Sequence, residues 1–215
     1  MPLTTVPTAL DDATPPALRP VLAPLPALTA AGDRLLAAAS ELFYDRGVRA
    51  VGVDLIADTA GTTKKTLYDR FGSKDALVAL YLLRRAHRWR EHLAARLAEG
   101  GGPPALTVFT ALETWMGTQH RGCAFVNAYA ELGGGPGAQE HPAVAVIRSE
   151  KAWMRALFDD LTGEAVLGGR VHLVYEGALV LRTAGGDPDA IAAGRDAAAA
   201  LLAGRSDPPR ELSPT

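Results

Sequence analysis

An all-α fold is the expectation for this chain, and three observations predict it. Apolar residues return at three- and four-residue steps along most of the 215 positions, and no segment sustains the two-residue alternation of a strand. Joints rich in glycine and proline divide the rest into pieces of helical length. The chain is long enough to bury a substantial core without covalent staples. Its one cysteine, Cys123, excludes an intrachain disulfide.

Residues 1–30 hold 7 of the 15 prolines among small residues, a composition that cannot bury enough apolar area to offset the entropy of ordering, and they predict a disordered arm. From Ala31 the pattern becomes helical. Leu35, Leu36, Ala39, Leu42 and Phe43 line one face, and Gly47 closes this helix after residue 46. Val53, Ile56, Ala57 and Ala60 make one short amphipathic helix ended by Gly61. Thr63 caps a second, which carries Leu67 and Phe71 on its buried side. Ser73 caps a long helix that runs to about Ala98, where "EGGGPP" stops it. Further helices are expected near 104–119, 123–133, 142–162, 165–184 and 188–203, divided by joints such as "GGGPGAQEHP" and "GGDP". A frayed, disordered tail is expected over 204–215.

The formal net charge of −2 conceals an asymmetry. Residues 31–90 hold 11 Lys/Arg against 7 Asp/Glu, whereas residues 91–215 hold 10 against 15. A basic N-terminal segment on an acidic body suits a polyanionic partner for the first part only. No 18-residue apolar run occurs, and the first 30 residues lack a basic start followed by an apolar stretch. A cytoplasmic protein with no membrane partner is therefore expected.

Residues 53–72 have the spacing of a helix-turn-helix. Ala57 is small where two helices must cross closely, Gly61 accepts a left-handed turn, and Ile56 with Leu67 fills the wedge between them. Steps of about 100° per residue place Lys64, Lys65 and Tyr68 within one third of the second helix, away from Leu67 and Phe71. Such a face suits a DNA major groove. Lys and Thr side chains reach base edges or phosphates, Tyr68 can donate its hydroxyl to a phosphate, and Lys74 lies beside the same backbone. Two ordinary solvated lysines on a short helix are the plainer alternative.

The run "LFYDRGVRAVGVDLIADTAGTTKKTLYDRFGSKDALVALYL", residues 42–82, resembles the DNA-binding domain of TetR-family transcriptional regulators. It includes the spacing AG-x-[ST]-x-x-T-LY-x-x-F-x-x-K-x-x-L from Ala60 to Leu77. The resemblance implies that Thr63, Lys64, Lys65 and Thr66 face bases or nearby phosphates, while Tyr68 and Lys74 clamp the DNA backbone. It also implies an N-terminal three-helix helix-turn-helix domain, 31–78, and a C-terminal helical ligand-binding and dimerisation domain, 79–203. Family members often place Thr-Ser before the first helix of the motif to contact a phosphate. Val51 and Gly52 stand there in this chain, which leaves that contact to Arg49 or to backbone amides near Val53. The arm holds only Arg19, which speaks against minor-groove reading.

A second resemblance, to a ligand-binding segment of one subset of the same family, begins at "RGCAFVNAYAEL", residues 121–132. In the family this domain binds a small molecule, dimerises through its last two helices and changes the separation of two DNA-reading heads. Locally, the helix containing "LVYEGALVLRTA" is apolar round most of its circumference and offers Gly177, Ala178 and Leu181 to a neighbour, as "IAAGRDAAAALLA" offers Ala197 and Leu201. Burial inside one subunit is the alternative. Candidate pocket residues are Phe109, Trp115, Met116, Phe125, Asn127, Tyr129, Trp153, Phe158 and Tyr175, most of which core packing alone would explain. Asn127, an amide among apolar neighbours, needs a partner in the backbone or in a bound molecule.

Cys123 fits a small buried hydrophobe better than a redox thiol activated by Arg121. His120, Cys123 and His141 match no metal-site spacing, and no metal or cofactor is expected. An enzyme is not expected either, because the GxSxG elbow, HExxH and Walker signatures are all missing. Two function classes remain. One is a sequence-specific DNA-binding transcriptional regulator, favoured by the motif from Ala60 to Leu77. It is read as a homodimeric repressor released from a double-stranded DNA operator by a small-molecule effector. The other is a helical protein-interaction module whose basic face binds an acidic partner without specific DNA binding.

Overall fold

Nine α-helices hold most of the residues that the computed structural model describes, namely 25–204 except positions 118 and 136. The expected disordered arm, all but its last six residues, and the expected tail beyond Gly204 lie outside these. Among the described residues there is no strand.

Helix α1 (Ala30–Arg46) begins where Thr29 accepts a hydrogen bond from the Gly32 amide and turns Leu35, Leu36, Ala39 and Phe43 inward. α2 (Val53–Thr59) and α3 (Lys64–Phe71) are joined by a tight turn that needs Gly61 at φ 60°, a conformation costly for any residue with a Cβ. Ile56 and Leu67 are both fully buried, so the wedge between α2 and α3 is filled as their spacing predicts. α4 (Lys74–Glu99) starts at Ser73, whose Oγ accepts from the Ala76 amide at 3.0 Å. α5 (Pro104–Met116) stops about three residues before the expected end, at Gly117, a residue with no side chain to bury. α6 (Ala124–Leu132), α7 (Pro142–Thr162), α8 (Ala165–Thr183) and α9 (Ala190–Ala203) follow the expected order. The glycine-rich joint before α7 carries a short 3-10 turn, Ala138–Glu140, that its composition did not predict.

Two apolar clusters form the core. The first joins α1, α2 and α3 to Leu77, Val78, Tyr81, Leu82 and Ala86 of α4, and it takes in Phe125 of α6 and Ile147 of α7. The second joins Trp89 and Leu93 of α4 to α5, α7, α8 and α9. α4 is therefore common to both, a rod of about 39 Å at the usual rise per residue.

Two close crossings shape the second cluster. A Cβ on Gly168 would fall 2.6 Å from the Asp159 Cα, so α7 and α8 touch backbone to backbone there. One on Gly194 would fall 2.8 Å from the Ala178 Cβ, so α9 meets α8 there across that methyl group. A polar latch ties the end of α1 to the α5–α6 loop. The Tyr44 hydroxyl donates to the Gly122 carbonyl at 3.2 Å and accepts from the Arg121 amide at 3.0 Å. The Arg121 guanidinium returns a bond to the Tyr44 carbonyl at 2.9 Å.

Candidate nucleic-acid interface and buried cavity

Leu67 fixes the rotation of α3. With that side chain fully buried, residues 63, 64, 65, 68, 69 and 70 must turn outward. Lys64 Nζ lies 3.2 Å from Asp54, and Lys65 Nζ lies 2.7 Å from Asp69. Both are solvent-exposed ion pairs, a class worth about 0.2–1 kcal/mol, so either ammonium can exchange its carboxylate for a phosphate at small cost. Tyr68 is 43% exposed. Thr63 Oγ1 caps the helix by accepting from the Thr66 amide at 3.1 Å, and the two threonine hydroxyls are 2.9 Å apart.

Lys74 differs from these. It is half-buried, its Nζ lies 5.9 Å from the centre of the Phe43 ring, and burial lowers its pKa against the opposing pull of Asp75 and Glu131. Val51 is fully buried and Gly52 caps α2 without a side-chain bond, so neither side chain can contact a phosphate.

A cavity of about 50 Å³ lies between α4, α5, α6, α7 and α8. Of the candidate pocket residues, Trp115, Met116, Phe125 and Tyr175 line it. The others are elsewhere. Phe109 and Phe158 are fully buried and pack on each other at 6.2 Å between ring centres. Asn127 donates to the Arg121 carbonyl at 2.7 Å, which meets the need of its amide from the backbone. Tyr129 is 40% exposed and does not line the cavity, and Trp153 lies under the Arg90 guanidinium at 4.4 Å.

The cavity also holds Trp89, Met154 and a set of charges that sequence reasoning missed: Arg85, Glu150, Lys151 and Glu176. One signal was present, since Glu150 stands at three- and four-residue steps from Ile147 and Met154, on the apolar stripe of α7. Arg90 pairs with Glu150, and Lys151 bonds both oxygens of Glu176 at 2.6 and 2.7 Å. Burial pushes the Glu150 carboxyl above its ordinary value, and Arg90 only partly offsets this. For Glu176, burial pushes up, but bonds from His172 and Lys151 outweigh it and leave the carboxyl below its usual range. Burial likewise acts to lower Lys151, and Cys123 with Glu176 reverses that into a net rise.

Arg85 and Trp115 separate this cavity from an outer groove of about 290 Å³ bordered by Tyr44, Arg84, Arg88 and His120. The Arg85 guanidinium sits 4.4 Å from the Tyr44 ring centre and 5.7 Å from that of Trp115, and it donates to Gln119 at 2.8 Å. Cys123 is half-buried with Lys151 Nζ 3.9 Å from its sulfur. His120 pairs with Asp45 at 3.3 Å, and His141 caps α7. Among the described residues no group of three or more His, Cys, Asp and Glu could hold a metal ion, and no helix is long and apolar enough to cross a membrane.

Of the candidate dimer residues, Gly177, Leu181 and Ala197 are exposed. Ala178 faces inward against Gly194, and Leu201 packs on the second cluster. The outer side of α8 carries further large apolar groups: Leu173 is 74% exposed, Val166 60% and Val180 46%. Their seven-residue spacing was the available signal.

Residues 35–81 match the family model of bacterial regulatory proteins, tetR family. Over 49 residues, 23% of its length, the chain is 55% identical to the HTH-type transcriptional activator FasR of Mycolicibacterium smegmatis, 21% of which is covered. Over 69 residues it is 36% identical to the HTH-type transcriptional regulator Rv1255c of Mycobacterium tuberculosis, covering 34% of that protein. The chain thus spans only a fifth to a third of the length of these relatives. The fold extends the likeness further. The crystal structure of SCO4454, a TetR-family transcriptional regulator from Streptomyces coelicolor, superposes with a TM-score of 0.73 at 25% identity, over 83% of this chain and 97% of that one. A putative tetr-transcriptional regulator from Streptomyces avermitilis gives 0.61 at 29% identity, over 80% and 99%.

Proposed function

We propose that the chain is a regulator of the tetR family, a sequence-specific DNA-binding repressor released from its operator by a small molecule. Residues 31–78 read DNA, and residues 79–203 bind the effector and a second copy of the chain. The observation that carries this reading is the outer face of α3. Thr63, Lys64, Lys65 and Tyr68 project together from a helix whose rotation Leu67 locks, the arrangement a major groove accepts. Lys74 supports the backbone contact from the side, its ammonium held near Phe43.

A homodimer accords with the apolar outer side of α8. Leu173, Val180 and Leu181 are large and exposed along α8, Ala197 of α9 is exposed too, and such apolar groups call for cover. A two-fold pairing of α8 and α9 would set two α3 helices in successive major grooves, with half-site centres about 34 Å apart. The likeness to the activator FasR extends over 49 residues, 21% of that protein, and so short a match does not decide whether transcription rises or falls at the bound site.

The test is binding of the full chain to duplex DNA flanking its own coding region, against a random duplex of equal length at fixed salt. The expected preference is about 10³-fold or more. Lys65→Ala and Tyr68→Phe should each weaken the flanking complex while leaving helicity and mass unchanged. Equal affinity for both duplexes, with neither substitution having an effect, would instead favour an interaction module.

A further inference from the structure

We infer that the buried cavity takes a small, neutral, largely apolar molecule that donates one hydrogen bond to the free oxygen of Glu150. This rests on the reading of residues 79–203 as effector-binding and names the effector's chemistry.

Glu150 is only 3% exposed, and it lines the cavity. One of its oxygens, Oε2, accepts from Arg90. The other, Oε1, has no hydrogen-bond partner among the described residues and is buried too deeply for a water-sized molecule in the cavity to touch it, so a donor reaches it only once a wall gives way. An unmatched buried carboxylate oxygen is costly, and the cost disappears when a donor enters. The surrounding wall offers mostly apolar contact, from Trp89, Trp115, Met116 and Met154.

Charge selects a neutral donor. Arg85 and Lys151 share the cavity wall and Arg90 stands behind Glu150, so three cations face the two carboxylates Glu150 and Glu176. A cationic guest would meet a net positive surround. An anionic guest would meet Oε1 at close range, and Lys151 is already bonded to both oxygens of Glu176. A hydroxyl or neutral N–H satisfies Oε1 without either penalty.

Size adds a requirement. The cavity of about 50 Å³ is well below the roughly 150 Å³ known to hold benzene, so a ring must displace a wall. Arg85 is the wall with room behind it, because it borders the outer groove of about 290 Å³. The same side chain stacks on Tyr44, so entry of a guest would disturb the latch between α1 and the α5–α6 loop.

The experiment titrates the full chain with cyclohexanol, cyclohexanone, methylcyclohexane, cyclohexylammonium and cyclohexanecarboxylate. Isothermal calorimetry reads all five on one footing, because the cyclohexanone carbonyl absorbs weakly where tryptophan is excited, and Trp89 and Trp115 in the wall give a second readout by fluorescence for the other four. Cyclohexanol should bind about ten-fold more tightly than cyclohexanone or methylcyclohexane, within the range expected when a buried acceptor gains its donor. In Glu150→Gln, Arg90 retains the amide oxygen and the NH₂ group takes the place of Oε1, so the order should invert in favour of cyclohexanone. Met116→Phe, which fills the cavity and leaves Glu150 intact, should abolish binding of the whole set.

Equal affinity for cyclohexanol and cyclohexanone, an unchanged order in a folded Glu150→Gln variant, tightest binding of either ion, or no binding at all would each overturn the inference. So would full binding by Met116→Phe. No DNA is present in these titrations. A cyclohexanol preference in a protein that does not prefer flanking DNA would keep the ligand class and remove the repressor reading. A DNA preference with no ring bound would overturn the ligand class alone.

Discussion

Thr63 and Lys65 stand two residues apart on the same helix and separate two kinds of contribution. Thr63→Ala frees the Thr66 amide that its hydroxyl now satisfies at 3.1 Å. The loss of such a cap costs about 1 kcal/mol, and a melting temperature lower by about 2–4 °C is expected. Lys65→Ala removes only an exposed pair with Asp69, so the melting temperature should stay constant while DNA affinity falls. Caps of this kind were legible in the sequence, because a cap involves residues three apart. The cavity charges were less so, since Lys151 meets Glu176 only when α7 packs on α8. That pair has its own signature. Glu176 is held below its ordinary 4.5, so its stabilisation is complete above pH 4.5 and is lost as pH falls through the depressed value. Lys151 is held above its ordinary 10.5, so its stabilisation is complete below pH 10.5 and is lost as pH rises through the raised value. Denaturant melts across pH should give a plateau between these limits, and Lys151→Met should lower it most within that window. A variant that matches the parent throughout would remove the pair as a source of stability.

At the scale of elements, glycines in α8 have opposite expected effects. Gly168→Ala drives a Cβ to 2.6 Å from the Asp159 Cα and should cost about 1–3 kcal/mol as the helices separate. Gly177→Ala meets open space within 4 Å, so the fold should keep its stability or gain up to about 1 kcal/mol of helix propensity. Chemical denaturation of the two variants distinguishes them, and equal losses would place both at crossings. The helices themselves were legible from periodicity and from Gly61, Thr63 and Ser73. The sides of α8 were not. A helix apolar round most of its circumference carries no mark of which stripe faces its own chain, so Ala178 and Gly194 are recognisable as partners only once α9 is docked.

At the scale of the molecule, the basic segment and the Ala60–Leu77 spacing were legible because DNA-reading motifs are contiguous in sequence. The cavity was not, because its walls come from five helices spread between Arg85 and Leu179. Assembly is tested at this scale. Leu173→Glu places a charge on the most exposed large apolar residue of α8 and should leave helicity unchanged while light scattering reports the monomer mass. A dimer that survives would move the interface to another face. The sharing of α4 has a consequence for autonomy. The cluster around α1–α3 borrows Tyr81, Leu82 and Ala86 from beyond residue 78, and Phe125 and Ile147 from still further along. A fragment cut at residue 78 would leave its core open to water and should be largely unstructured by circular dichroism. The intact chain should melt in one calorimetric step, with the reading head and the body losing order together rather than in turn.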